Sequence, residues 1–231
     1  MSKKYPQLLL RFEKNEEKLL NTLKEGIFRI SSSKRYRELE DKDLKVYKKY
    51  QKKNIEPPKD LRYVSDPNEG LENFKPINEI SFKIDNEFLK LTPDVSYLKI
   101  YSEEQILCFY NGLNHYDETG INNNNIMQKF TYNKEMNKFG EFCLFIYNTD
   151  EFHKRIMNTR QVKDYNYVNY INDFIENNTY DNFIKHKIFS FQQEYRYIFN
   201  NYTNKIKLGS IEDIAKVVHV DELENIEIFF R

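Results

Sequence analysis

Tryptophan is absent, alanine occurs once (Ala215), and there are two cysteines, six glycines and six prolines in 231 residues. Each scarcity excludes something. Cys108 and Cys143 both sit in apolar, strand-like runs. They read as buried free thiols of a cytosolic protein, not as a disulfide framework. No Cys-x-x-Cys pair and no His/Cys cluster has zinc spacing, so no metal site is expected. The few glycines form neither a P-loop nor a dinucleotide fingerprint, and no Ser-x-x-Lys or Gly-x-Ser-x-Gly nucleophile motif occurs. ATP hydrolysis, a Rossmann cofactor and zinc chemistry are therefore disfavoured. No run approaches the roughly 20 apolar residues of a membrane span. The segment Met1-Ser2-Lys3-Lys4-Tyr5-Pro6 lacks the apolar core of a signal peptide. A soluble, cytoplasmic protein without membrane contact is the expectation. Neither charge sign prevails, because 36 basic residues balance 36 acidic ones. A whole surface built to grip nucleic acid is excluded, but a local basic patch is not.

What the chain has is aromatic surface, with 18 Tyr and 18 Phe. These supply large side chains for a core. Asn, Lys, Ile, Tyr and Phe share AT-rich codons, so their abundance is the mark of a low-GC genome such as a bacterium or its phage. It carries no functional information. The length fits one domain over 1–231.

Gln7 to Phe12 reads as a strand. Asn15 then caps a helix with Glu16 and Glu17 in its first turn, Leu19, Leu20 and Leu23 as its stripe and Gly26 as its stop. Ile27 to Ile30 is a second strand, and Ser31-Ser32-Ser33 caps another helix that starts at Lys34. Residues 34–56 form a basic helical segment. From Lys34 to Lys53 it holds nine basic and four acidic residues, with Leu44, Tyr47 and Tyr50 at helical spacing. It is either a solvated amphipathic face or a phosphate-contacting patch through Lys45, Lys48, Lys49, Lys52 and Lys53. Ser65 to Gly70 is turn chemistry.

Ile80–Ile84 and Phe88–Leu91 flank Asp85-Asn86 as a hairpin. Tyr97–Tyr101 and Gln105–Tyr110 are further strands, the latter apolar enough to be central. Residues 115–137, with Asn122 to Asn125, read as a mobile Asn-rich loop or an excursion over the sheet. Phe139–Tyr147 is a buried strand. Thr149, with Asp150 and Glu151, caps a helix that turns Phe152, Ile156 and Met157 inward. Tyr165–Ile171 and Lys205–Leu208 are strands. Ser210 to Asp213 opens a short helix, and Lys216–Val220 and Glu224–Phe230 are closing strands. The class is α+β: a twisted, mostly antiparallel sheet with peripheral helices.

The densest stretch runs from Lys185 to Phe199. Its second half alternates, with Glu194, Arg196 and Ile198 on one face and Tyr195, Tyr197 and Phe199 on the other. The aromatic face suits a core. The other face presents a carboxylate and a guanidinium two residues apart, either as a site or as cross-strand pairing groups. The four histidines, His115, His153, His186 and His219, are scattered and read as packing or surface residues.

Five pieces occur in a suggestive order. Gly26, Phe28, Arg29, Ser32 and Tyr36 come just after the first helix. Asp66-Pro67-Asn68-Glu69-Gly70 is next, then Phe139-Gly140 leading into Phe142 to Ile146 with Glu151-Phe152 and Arg155-Ile156. Lys187-x-Phe189-x-x-Gln192-x-Glu194-Tyr195-Arg196 is the fourth, and Leu208 to Ile214 the last. Together they resemble an uncharacterised bacterial and prophage family of unknown function. Its sister families carry a Lys-x-x-Phe-x-x-Glu-x-Glu-Tyr-Arg strand and are distantly similar to the ADP-ribosyltransferase fold. The resemblance implies Arg29 on an early strand, Ser32 or Tyr36 on the next, and Glu194 with Gln192 and Arg196 on a late strand. Gln192 stands where a second glutamate is usual.

Two functional readings result. One is a phage or mobile-element accessory protein that binds a host protein or ribonucleoprotein, as an anti-CRISPR inhibitor of a defence nuclease does. It uses no cofactor and touches RNA through the basic patch. The other is an NAD-dependent ADP-ribosyltransferase-like toxin or effector. That reading places Glu194, Arg196 and Arg29 in one cleft with 115–137 as its lid.

Overall fold

The computed structural model describes residues 8–35, 71–76, 80–84, 87–91, 97–101, 104–112, 127–130, 132–172, 181–200 and 202–229. Strand β1 (Leu9–Glu13) leads into helix α1 (Glu16–Glu25). The Asn15 side chain accepts the Lys18 amide at one end, and Gly26 ends the helix in the left-handed region at φ 62°. Strands β2 (Ile27–Arg29) and β3 (Ser31–Ser32) come next. Ser32 Oγ then accepts the Arg35 amide at 3.3 Å, so the serine run does act as a cap.

Strands β4 (Leu71–Pro76) and β7 (Tyr97–Tyr101) pair antiparallel. Strands β5 (Ile80–Ile84) and β6 (Glu87–Leu91) make the expected hairpin. After β8 (Gln105–Asn111) come β9 (Met127–Lys129), a 3-10 turn over Lys134–Phe139 and β10 (Phe142–Ile146). The expectation of a continuous loop to residue 137 is therefore corrected: β9 pairs with a C-terminal strand, and Asn133 caps the 3-10 turn.

Helix α2 spans Thr149–Asn158. Its cap is Asn148, which accepts the Glu151 amide. Met157 is exposed, and His153 takes an inward position instead, because the inward stripe passes through 149, 152, 153 and 156. Strands β11 (Val162–Tyr167) and β12 (Asn169–Ile171) replace one continuous strand, broken at Val168. Then come β13 (Ile184–His186), a 3-10 turn over Lys187–Gln192, β14 (Glu194–Phe199) and β15 (Lys205–Lys207). The Ser210 segment is a turn, not a helix; Ser210 Oγ accepts the Glu212 amide and closes the turn locally. Strand β16 (Ala215–His219), the short helix α3 (Val220–Leu223) and β17 (Glu227–Phe229) finish the described chain.

The main sheet has the order β11-β14-β8-β1-β10-β16, with β3 on β8, and all its pairings are antiparallel. The fold is thus α+β with a mostly antiparallel sheet. Strand alternation sorts the apolar side chains onto two faces. One face carries Leu9, Leu107, Phe109, Leu144, Ile146, Tyr195, Tyr197 and Phe199, covered by Leu19 of α1 and Phe152 and Ile156 of α2. Edge-to-face rings knit this side. Phe109 and Phe152 are 5.3 Å apart at 85°, and Phe28 and Phe152 are 5.4 Å apart at 69°. Each such pair contributes about 0.5–1.5 kcal/mol beyond its burial. The second face carries Leu10, Tyr110 and Cys143 under Met136, Val220 and Leu223, and beside them Ile106, Phe183 and Ile198. Neither cysteine is in a disulfide; Cys143 is buried, whereas Cys108 is half-buried. Among the described residues no helix is long and apolar enough to cross a membrane.

Candidate functional site

Strand β14 lies between β11 and β8 and is buried over its whole length. Tyr195, Tyr197 and Phe199 enter the aromatic core. Alternation then forces Glu194 and Arg196 onto the second face, with Ile198. Two further elements deliver partners. Strand β13 runs parallel to β12, with Lys185 opposite Tyr170. The 3-10 turn ends at Gln192, and Gln193, at φ 38°, redirects the chain from turn to strand.

The result is a buried polar cluster of Lys185 (3% exposed), Gln192 (2%), Glu194 (8%) and Arg196 (1%). Lys185 Nζ donates to Gln192 Oε1 and to Glu194 Oε1, both at 2.6 Å. It also lies 5.4 Å from the Phe189 ring centroid, within cation-π range. Arg196 Nε donates to Glu194 Oε2 at 2.8 Å, and its Nη1 donates to the Asn182 carbonyl. The Glu194 amide donates to Tyr170 Oη at 2.9 Å. Burial alone would raise the Glu194 pKa. The Arg196 and Lys185 charges outweigh it and hold the carboxyl well below the usual carboxylate range. Burial, then the Glu194 charge, pushes the Tyr170 phenol up. Two cations thus share one carboxylate in a dry setting, and each carboxylate oxygen already accepts from a charged donor. Such clusters are sensitive to the loss of any member. The arrangement locks β13, the 3-10 turn and β14 into one unit.

Gln192, Glu194 and Arg196 are therefore brought together. Arg29 is not with them. Strand β2 packs through Phe28 against the opposite sheet face and pairs with β15. The exposed Arg29 lines a cleft of about 410 Å³ between α1, β1 and β2. The single cleft expected to hold Glu194, Arg196 and Arg29 is thus not formed, because strand alternation sends Glu194 and Phe28 to different sides. Tyr36, Lys45, Lys48, Lys49, Lys52 and Lys53 lie outside the described residues, as do 115–126 and 131 of the supposed lid.

The lysine of the cluster is Lys185; Lys187 of the motif is exposed. Lys185, Tyr170 and the Asn182 carbonyl escape sequence reasoning. One signal was available, a lysine between Ile184 and the aromatic run. The parallel β12–β13 pairing that buries it leaves no periodicity in the chain. His153 is a packing residue, with Nδ1 3.2 Å from Tyr197 Oη and its ring against Tyr165. His219 caps α3. Among the described residues no three His, Cys, Asp or Glu side chains are grouped to hold a metal ion.

No family model, curated protein or solved structure matches the chain.

Proposed function

We propose that the protein is an accessory factor of a phage or other mobile element, and that it acts by binding a host protein or ribonucleoprotein, in the manner of an anti-CRISPR inhibitor of a defence nuclease. The observation that supports binding over catalysis is that both oxygens of Glu194 are engaged by buried cations. A carboxylate that stabilises positive charge in a transition state needs an oxygen facing the reacting centre. The contact surface in this reading is the basic segment 34–56, whose Lys45, Lys48, Lys49, Lys52 and Lys53 supply charge for phosphate contact. The test is titration of the purified chain against a guide-loaded RNA-guided nuclease at two salt concentrations, beside a variant with those five lysines changed to Glu. Salt-sensitive binding that the variant loses supports the reading. Absence of binding, or binding indifferent to the reversals, overturns it.

A second reading, the NAD-dependent ADP-ribosyltransferase-like effector, is favoured by one observation: Gln192 and Glu194 meet at a single lysine. Calorimetric titration with NAD, beside Gln192→Ala, separates the two. Saturable binding that weakens in the variant brings the enzyme forward; no heat removes it.

A further inference from the structure

Arg11 leaves β1 on the same face as Leu9, toward α1 and β2. Its guanidinium carbon is 5.9 Å from the centroid of the Phe28 ring. Its Nη1 is buried and has no hydrogen-bond partner. Leaving a charged donor desolvated without an acceptor is strongly unfavourable, and folded chains seldom keep such a group without a use for it. Arg11 lines the 410 Å³ cleft that also holds Arg29. Lys18, a third cation of the cleft, is paired with Glu13. Neither Arg11 nor Arg29 is paired with a carboxylate among the described residues. Half-buried Arg11 and exposed Arg29 thus both line the same space. That volume suits a small molecule and is near the lower end for ligand sites.

We propose that this cleft binds a small molecule through a carboxylate or phosphate group, with Arg11 as the inner anchor and Arg29 at the mouth. Guanidinium is the side chain that meets planar or tetrahedral oxyanions with paired donors. The rest of the lining fixes the other end of the ligand. Glu13, Glu17 and Glu25 also border the cleft. They repel polyanions and favour a remainder that carries an amine or other donors. The class is therefore a zwitterion or a donor-rich monoanion, not a polyphosphate and not nucleic acid. The site lies across the sheet from Glu194 and is independent of the host-partner reading above.

The experiment is calorimetric titration of the full chain, at fixed ionic strength, with two probes: phosphoethanolamine and γ-aminobutyrate. Saturable binding is expected for one of them and identifies the oxyanion as phosphate or carboxylate. Arg11→Met should weaken it by about tenfold or more, the scale of one charge-assisted contact. Arg29→Gln should weaken it less, because that side chain is solvated. If Arg11→Met does not fold, the exposed Arg29→Gln decides alone. No saturable binding of either probe, or an affinity unchanged in the variants, overturns the proposal.

Discussion

Lys185 Nζ and Glu194 Oε1 lie 2.6 Å apart, and both side chains are buried. Arg196 holds the other carboxylate oxygen. One anion is therefore shared by two cations, and the three are not equivalent. Glu194→Gln removes the charge that both cations share and should destabilise the fold by about 3–5 kcal/mol. Lys185→Met leaves a balanced Glu194–Arg196 pair and should cost clearly less. Urea denaturation of the two variants checks the order; equal losses would sink the charge-balance account.

The same cluster sets an acid limit. The Glu194 pKa is lowered in the folded state, by Arg196 and Lys185 against the opposing effect of burial. Its contribution is complete above the unfolded carboxylate value of about 4.3 and is lost as pH falls from there through the depressed folded value. Chemical denaturation midpoints should drop steeply below about pH 4.3 in the wild type. The drop should be shallower in a Glu194→Gln background.

His153 acts in a different window. Burial lowers its pKa, with Asp150 opposing. The unfolded chain then takes up the proton first, so stability should fall as pH drops from about 6.5 through the lowered folded value. His153→Phe should flatten the profile just below about pH 6.5 and leave the steeper acid loss set by Glu194 intact. A variant profile that overlays the wild type there would refute this.

Gly26 and Gly209 make a paired test. Both have positive φ, 62° and 76°, but a Cβ on Gly26 would lie 1.8 Å from the Gly209 carbonyl oxygen, whereas one on Gly209 meets nothing within 4 Å. Gly209→Ala should cost about 1–2 kcal/mol, the left-handed penalty alone. Gly26→Ala should cost more, because backbone must move. Thermal melts of the two variants give the comparison.

Cys143 is wholly buried, and burial pushes its thiol pKa up. In native buffer a thiol reagent should modify Cys143 only as fast as the molecule unfolds. Labelling faster than the unfolding rate, followed by mass spectrometry of the Cys143 peptide, would contradict the burial.

Much of the scaffold was legible because it rests on local rules. The Asn15 cap, the Gly26 stop, the 80–91 hairpin and the alternation of β14 each arise from a few neighbouring residues. The misreadings arise where distant chain decides. Residues 127–137 look polar and aperiodic, yet β9 is ordered by pairing with β17. Met157 is left exposed, whereas His153 is held inward by the rings of Tyr165 on β11 and Tyr197 on β14. For the cluster, Glu194 and Arg196 were readable from spacing, but Lys185 arrives through a parallel pairing that periodicity does not mark. Arg29 was separated from Glu194 by the side of the sheet on which β2 packs, which no spacing encodes.

Strand β1 has a consequence for biogenesis. It lies in mid-sheet, between β8 and β10, yet is made long before either. During synthesis its apolar Leu9 and Leu10 must wait for Ile146 and Phe145 to leave the ribosome, on the order of ten seconds at ordinary elongation rates. Closing so long a loop is slow, and the exposed strand invites wrong pairing meanwhile. Production of this protein should therefore depend on chaperones that hold nascent β1, and slower elongation should increase that dependence.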